Sequence, residues 1–268
     1  MVAWIALARP LPIAAAPALL LVAISLWEIC AARHDARAVP DDAAWHAAAE
    51  RVRAAFTPGD LIVFAPDWID PVGRRELGDL IPVAVAARMD AARYGRIWEL
   101  AIRGAHTAES AGLVAVSADE VAGIAVRRYE RAPAIVVADV LDHVASAISD
   151  GPRPTLELTE VGFAPHRCVQ VIPAPRTPVR IRFAGLTLGR TLVGYVGIAD
   201  VFTRRDVRSP GELDVEIAGQ VVAHARAGVD DGWVRFAAPT EPGPAEVTFV
   251  VRATDPGRRI CFAAEARQ

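Results

Sequence analysis

Residues 212–217 read ELDVEI, with an acidic and an apolar side chain in strict alternation. Successive side chains of a β-strand point to opposite faces of the sheet, so a period of two predicts a strand with one buried face. Residues 155–159 (TLELT), 179–183 (VRIRF) and 247–251 (VTFVV) have the same alternation, and Gly, Pro and Asp turns separate them. About nine such strands predict an antiparallel β-sandwich of the jelly-roll kind over residues 151–268.

The residues before this region have a different pattern. Asp41 and Asp42 can cap a helix, and residues 61–65 and 96–102 are short apolar runs typical of buried strands. We expect a second helix over 79–89 and a third strand over 121–129. Residues 33–150 are therefore predicted to form a small α/β domain that ends at the turn-forming cluster SDGPRP, residues 149–154.

The N-terminal region carries a long uncharged segment. Residues 10–27 contain no charged side chain, and Trp4 and Trp27 lie near its two ends. With the apolar residues that precede it, the segment reaches the roughly 20 residues needed to cross a bilayer. We predict an uncleaved signal anchor over residues 1–32, and a cleaved signal peptide or a buried helix is the alternative. The expected location is the bacterial inner membrane, single-pass, with most of the chain in the periplasm. Arg33 and Arg37 offset Arg9, so the charges leave the orientation open.

Composition excludes several functions. The 268 residues carry a net charge of −3, which gives no electrostatic reason to bind nucleic acid. All the basic residues are arginine, and neither lysine nor asparagine occurs, so Schiff-base chemistry and a phosphate-loop lysine are excluded. No cofactor is predicted. Cys168 and Cys261 lie in strand-like stretches, where they are either a disulfide of an oxidising compartment or two buried thiols.

One candidate binding site follows the first predicted strand. Asp67, Trp68 and Asp70 form a carboxylate pair beside a tryptophan, and Arg74 lies one helical turn further on. An aromatic face stacks on sugar C–H groups and carboxylates accept hydrogen bonds from sugar hydroxyls, so this composition is typical of a sugar site. The alternative is an ordinary strand-to-helix loop with capping aspartates.

Two further candidates lie in the predicted sandwich. The charged segment Asp200, Arg204, Arg205 and Asp206 either binds a ligand or forms a salt-bridged corner. Asp231 and Trp233 follow a turn, and the tryptophan is either a sugar platform or part of the core. The histidines are scattered, no metal site is predicted, and no recognisable catalytic constellation is present.

Short motifs carry two resemblances. With PGD at residues 58–60 and YGRIW at residues 94–98, residues 41–130 resemble the extramembrane C-terminal region of bacterial protein-mannosyltransferase-like glycosyltransferases. Those multi-pass enzymes use polyprenyl-phosphate sugars, and their catalytic carboxylates lie between transmembrane helices, so no catalytic residue is carried over. The segments GIAD (197–200) and DDGW (230–233) are similar to galactose-binding-like jelly rolls.

Together these features predict an α+β, multidomain, membrane-anchored protein. We expect a non-catalytic accessory or carbohydrate-recognising role in cell-envelope glycan assembly, with a glycan or lipid-linked sugar as ligand. Two alternatives remain. One is a subunit or truncated relative of a polyprenyl-phosphate-sugar glycosyltransferase, acting with a multi-pass membrane partner, and the other is a protein–protein interaction scaffold.

Overall fold

The computed structural model describes residues 16–37, 39–199 and 208–268. Its helices are α1 (Ala16–Arg37), α2 (Asp42–Arg53), α3 (Asp70–Leu77) and the single turn α4 (Val83–Ala86). Within α1, the 20-residue segment Pro17–Ala36 contains an 18-residue window with a mean hydropathy of 1.3 and is long and apolar enough to cross a membrane. The first fifteen residues of the predicted anchor lie outside the described ranges.

A four-stranded sheet forms the centre of the N-terminal unit. Its strands are β1 (Leu61–Ala65), β2 (Arg96–Ala101), β3 (Ala115–Val121) and β4 (Ile124–Glu130), in the order β1-β2-β4-β3. The pair β1–β2 is parallel, and the two other pairs are antiparallel. Asp41 caps α2 by accepting a hydrogen bond from the amide of Ala44, as the sequence predicted.

Two predicted elements of this unit are wrong in extent. The helix expected over 79–89 is reduced to a 3-10 turn and α4, because Pro82 has an extended backbone and no amide hydrogen to continue a helix. The strand expected over 121–129 begins at Ile124. Ala122 and Gly123 both have positive φ and form a tight turn that connects it to β3, a strand that the sequence did not predict.

In the part of the chain that the structure describes, eleven strands build two sheets that pack face to face, which agrees with the sandwich predicted for the C-terminal region. One sheet has the order β13-β10-β15-β8-β7 with β5 also paired to β15, and the other has the order β12-β11-β14-β9-β6. All their pairings are antiparallel. The strands are β5 (Val136–Asp139), β6 (Ile148–Ser149), β7 (Thr155–Val161), β8 (Ala164–Val171), β9 (Val179–Leu188), β10 (Thr191–Ile198), β11 (Gly211–Ile217), β12 (Gln220–Ala227), β13 (Val234–Pro239), β14 (Gly243–Ala253) and β15 (Ile260–Arg267).

The predicted alternation places the core between these sheets. Leu213 and Val215 of β11 are fully buried, whereas the acidic side chains that alternate with them, Glu212, Asp214 and Glu216, are partly exposed. Phe249 of β14 stacks on Phe262 of β15, with ring centroids 4.8 Å apart, and so joins the two sheets. Cys168 and Cys261 form a disulfide between β8 and β15, with their Cα atoms 5.6 Å apart.

Residues 136–149 belong structurally to the sandwich. Strand β5 pairs with β15 and strand β6 pairs with β9. The sequence placed these residues in the α/β domain because the clearest turn-forming cluster follows them, at residues 149–154. The change from one sheet system to the other occurs after β4, in the chain that joins Glu130 to Val136.

Candidate functional site

A cleft of about 830 Å³ lies between the N-terminal unit and the β7–β8 hairpin of the sandwich. Three segments of the N-terminal unit line it, around residues 62–74, 86–90 and 106–109, and residues 162–166 of the hairpin form the facing wall. The volume is within the range of about 300–1,000 Å³ typical of ligand sites. The four residues predicted after the first strand, Asp67, Trp68, Asp70 and Arg74, all line this cleft.

Those four residues lie on a 3-10 turn and on α3. Asp67 and Trp68 belong to the turn Asp67–Ile69, and Trp68 is 58% exposed. Arg74 donates from Nε to Asp70 Oδ2 at 2.5 Å, a pair one helical turn apart. The guanidinium of Arg103 lies over the Trp68 ring, 5.8 Å from its centroid. Arg103 therefore contacts the Trp68 ring, while the residue as a whole remains mostly exposed to solvent.

The facing wall carries a second aromatic residue in an unusual conformation. Gly162 and Phe163 form the tight turn between β7 and β8, with φ values of 58° and 70°. Phe163 is 54% exposed and lines the cleft. A bulky residue costs about 1 kcal/mol or more in this left-handed region, where glycine or asparagine is usual. Positive φ at both central residues is what a two-residue turn between antiparallel strands requires, and it directs the Phe163 side chain from the tip of this hairpin.

Beneath the cleft, Glu99 of β2 is fully buried. Apart from its contact with His106, its carboxylate accepts hydrogen bonds from four residues. Oε1 accepts from Arg127 at 2.8 Å and Tyr129 at 3.1 Å, and Oε2 accepts from the amide of Thr107 at 2.8 Å and the hydroxyl of Ser110 at 2.5 Å. Burial alone would raise the pKa of Glu99. The hydrogen bonds from Ser110, Thr107, Arg127 and Tyr129 outweigh burial and hold that pKa below its usual range.

His106 connects this buried carboxylate to the cleft. Its Nδ1 lies 3.1 Å from Glu99 Oε1, and its side chain is 57% exposed on the cleft wall. An ionised carboxylate can only accept, so Nδ1 donates to Glu99, and in the neutral imidazole this tautomer has its lone pair on Nε2. Within the described residues Nε2 has no hydrogen-bond partner.

Charged and titratable residues complete the walls. Arg88 is paired with Glu109, and both line the cleft. His166 lies on the sandwich side, where Nδ1 is 3.2 Å from the carbonyl oxygen of Arg88. Burial lowers the pKa of His166 to about 4, so at neutral pH this imidazole is uncharged.

The residues predicted on the sandwich lie elsewhere. Asp231 Oδ2 accepts from the amide of Gly228 at 2.7 Å and stabilises the turn before β13. Trp233 stacks on His166 with ring centroids 4.4 Å apart, and its Nε1 donates to the carbonyl of Met89 at 3.1 Å. It therefore joins the sandwich to the N-terminal unit and is not a wall of the cleft. Asp200, Arg204, Arg205 and Asp206 lie outside the described residues.

Sequence reasoning missed Phe163, Glu99 and His106. His106 was read as one of several scattered histidines, and no local motif connects it to a carboxylate seven positions earlier. The signal available for Phe163 was a glycine followed by an aromatic residue between two alternating runs. In the ranges that the structure covers, no group of three or more His, Cys, Asp or Glu side chains is placed to hold a metal ion.

Solved structures similar to part of this chain include carbohydrate-binding modules. The CBM51-2 and INT domains of Clostridium perfringens ZmpB, solved with GlcNAc, match at a TM-score of 0.37 and 14% identity, over 58% of this chain and 40% of that one. A family 35 carbohydrate-binding module from Clostridium thermocellum matches at 0.32 and 12%, over 50% of this chain and 98% of that one. At these scores the likeness does not indicate what this chain binds.

No protein-family model and no curated protein matches the chain. The resemblance of residues 41–130 to mannosyltransferase-like enzymes therefore has no support from relatives. This chain spans 40% of the length of the first solved structure named above.

Proposed function

We propose that this protein binds a neutral glycan in the cleft between its two units. The observation that carries the proposal is the pair Trp68 and Phe163, two exposed aromatic side chains that come from different units and line the same cleft. Aromatic faces pack against the C–H groups of a sugar ring. Tryptophan and phenylalanine bury large areas with few rotatable bonds, so they suit a small, preformed site.

The charges of the cleft favour an uncharged ligand. Both lining arginines, Arg74 and Arg88, are already paired with acidic side chains. Asp67 has no such pair among the described residues and lies beside Trp68. An acidic excess of this kind repels phosphates and uronates, whereas carboxylates accept hydrogen bonds from sugar hydroxyls.

The location proposed for this activity is the outer face of the bacterial inner membrane, with α1 as the anchor. The disulfide between Cys168 and Cys261 supports an oxidising compartment such as the periplasm. The long apolar stretch of α1 supports anchoring. In that setting the glycan is a component of cell-envelope assembly, and the protein is an accessory that recognises it.

The test is calorimetric titration of the full chain in detergent micelles with a panel of neutral oligosaccharides. We expect at least one oligosaccharide to bind and Trp68→Ala to weaken its binding about tenfold, which corresponds to about 1.4 kcal/mol. Trp68→Phe should retain most of the affinity, because the aromatic face remains. Leu158→Ala removes a side chain of similar exposure from β7, away from the cleft, and is the matched control.

Two results would contradict the proposal. One is a folded protein that binds none of the panel. The other is an affinity that Trp68→Ala and Phe163→Ala leave unchanged.

A further inference from the structure

We propose that the cleft is also a hydrolytic site, in which His106 is the general base and acyl esters carried by the bound glycan are the substrates. This inference rests on the proposed glycan binding and adds an activity to it. Its foundation is the contact between the imidazole of His106 on the cleft wall and the buried carboxylate of Glu99, 3.1 Å apart.

The contact orients the imidazole as a base requires. Because the carboxylate accepts the Nδ1 hydrogen, Nε2 is the nitrogen that carries the lone pair of the neutral imidazole, and the side chain is more than half exposed in the cleft. A carboxylate behind an imidazole also stabilises the imidazolium that forms when Nε2 takes a proton. Glu99 is thus a positioning residue for His106.

The needs of the fold do not explain this arrangement. Without His106, the two oxygens of Glu99 already accept four close hydrogen bonds, so the histidine is not required to satisfy them. In addition, a buried ion pair often stabilises a folded protein no more than well-packed apolar residues of similar size would. Strand β2 nevertheless keeps a buried carboxylate directly beneath a ligand-sized cleft, and networks of this kind concentrate at functional sites.

Water is the nucleophile that the cleft allows. The hydroxyl of Ser110 is buried and donates to Glu99, and Thr107 is held by the same carboxylate. Among the described residues that line the cleft, Thr107 is the only one with a hydroxyl group, and none has a thiol. A free hydroxyl or thiol nucleophile is therefore lacking in this lining.

The reaction balances with water as the only co-reactant. Nε2 of His106 takes a proton from water as its oxygen bonds to the acyl carbon. The bond between that carbon and the sugar oxygen then breaks, and the imidazolium returns the proton to the sugar oxygen, which leaves a carboxylic acid and a sugar hydroxyl. Hydrolysis of a glycosidic bond would instead need a protonated acid at the leaving oxygen, so an ester suits a neutral imidazole better.

The experiment measures acetate released from acetylated neutral oligosaccharides by the full chain in micelles. We expect turnover by the unmodified protein, and a drop in kcat of about a hundredfold or more in His106→Gln with binding of the deacetylated oligosaccharide retained. In His106→Gly, added imidazole should restore part of the activity, which a merely structural histidine would not allow. His143→Gln is the matched control, because His143 is exposed and does not line the cleft.

The outcomes separate this inference from the binding function. Binding without acetate release, or undiminished release by His106→Gln, overturns the hydrolytic role alone. Absence of both binding and release in a folded protein overturns the proposed function as well.

Discussion

Asp90 of the N-terminal unit binds Arg267 of the last sandwich strand. One terminal nitrogen of Arg267 lies 2.9 Å from each carboxylate oxygen of Asp90, and both side chains are largely buried. Arg267 also pairs with Glu265, which in turn accepts from Arg93 at 2.5 Å. This network alternates in charge across the boundary between the units and holds the two walls of the cleft in place.

Asp90→Ala should destabilise the protein by about 2–4 kcal/mol, because it leaves a buried guanidinium with one carboxylate partner fewer. Urea unfolding followed by both tryptophan fluorescence and circular dichroism measures the loss. Asp119→Ala is the control, since Asp119 pairs with Arg51 at the surface and should change stability by less than about 0.5 kcal/mol. Equal losses of stability in the two variants would show that the boundary network contributes little to the free energy of unfolding.

His166 should make stability sensitive to mild acid. Its pKa is about 4 in the folded protein because of burial, whereas the unfolded chain has an ordinary histidine value of about 6.5. Between these values the unfolded state binds more protons, so the free energy of unfolding falls as the pH is lowered from about 6.5 to 4. We expect a contribution of about 2 kcal/mol between pH 7 and pH 5.

His166→Phe keeps an aromatic ring against Trp233 and should remove this part of the pH dependence. Urea unfolding at pH 7 and pH 5 checks it, with His143→Gln as an exposed control that keeps the wild-type slope. A His166→Phe protein that still loses the same stability at pH 5 would place the titrating group elsewhere.

Loss of the disulfide should destabilise the sandwich strongly. Cys168 and Cys261 are separated by 93 residues, and a loop of that length predicts a loss of about 4.6 kcal/mol on opening. Unfolding of the double variant Cys168→Ala/Cys261→Ala, compared with the parent protein, measures it. Cys30→Ser, which removes the exposed free cysteine of α1, should leave the midpoint unchanged. A double variant as stable as its parent would mean that the bond does not form in solution.

Phe163→Gly should change stability and binding in opposite directions. Glycine adopts a φ of 70° without steric cost, so the turn between β7 and β8 should gain about 1 kcal/mol. The same substitution removes one aromatic wall of the cleft and should weaken glycan binding. Thermal melting and calorimetric titration test the two effects separately, and unchanged affinity would exclude Phe163 from the site.

Much of the sandwich is predictable from short stretches of sequence. The alternation in residues 179–183, 212–217 and 247–251 is enough, because a strand with one buried face needs a period of two whatever it packs against. Asp67, Trp68, Asp70 and Arg74 could be predicted as one cluster because they are close in the chain and follow a buried strand.

Where sequence reasoning failed, long-range pairing decided. Residues 136–149 have no local sequence pattern that identifies them as strands of the sandwich. They belong to it because β5 forms hydrogen bonds with β15 and β6 with β9. Trp233 could be predicted equally well as a sugar platform or as core. Its contact with Met89, far away in the chain, places it at the boundary between the units.

The sequence by itself determined the strand pattern of the sandwich, the apolar N-terminal helix and one wall of the cleft, because each depends on neighbouring residues. Tertiary structure alone decided that Cys168 meets Cys261, that Phe163 faces the cleft that Trp68 lines, and that His106 lies against Glu99. The disulfide needs strands β8 and β15 to pair, the contact of His106 with Glu99 needs the loop after β2 to fold back onto the sheet, and the cleft between Trp68 and Phe163 needs the two units to pack together. The burial that drives such packing depends on the apolar area covered and has no direction that local sequence could encode.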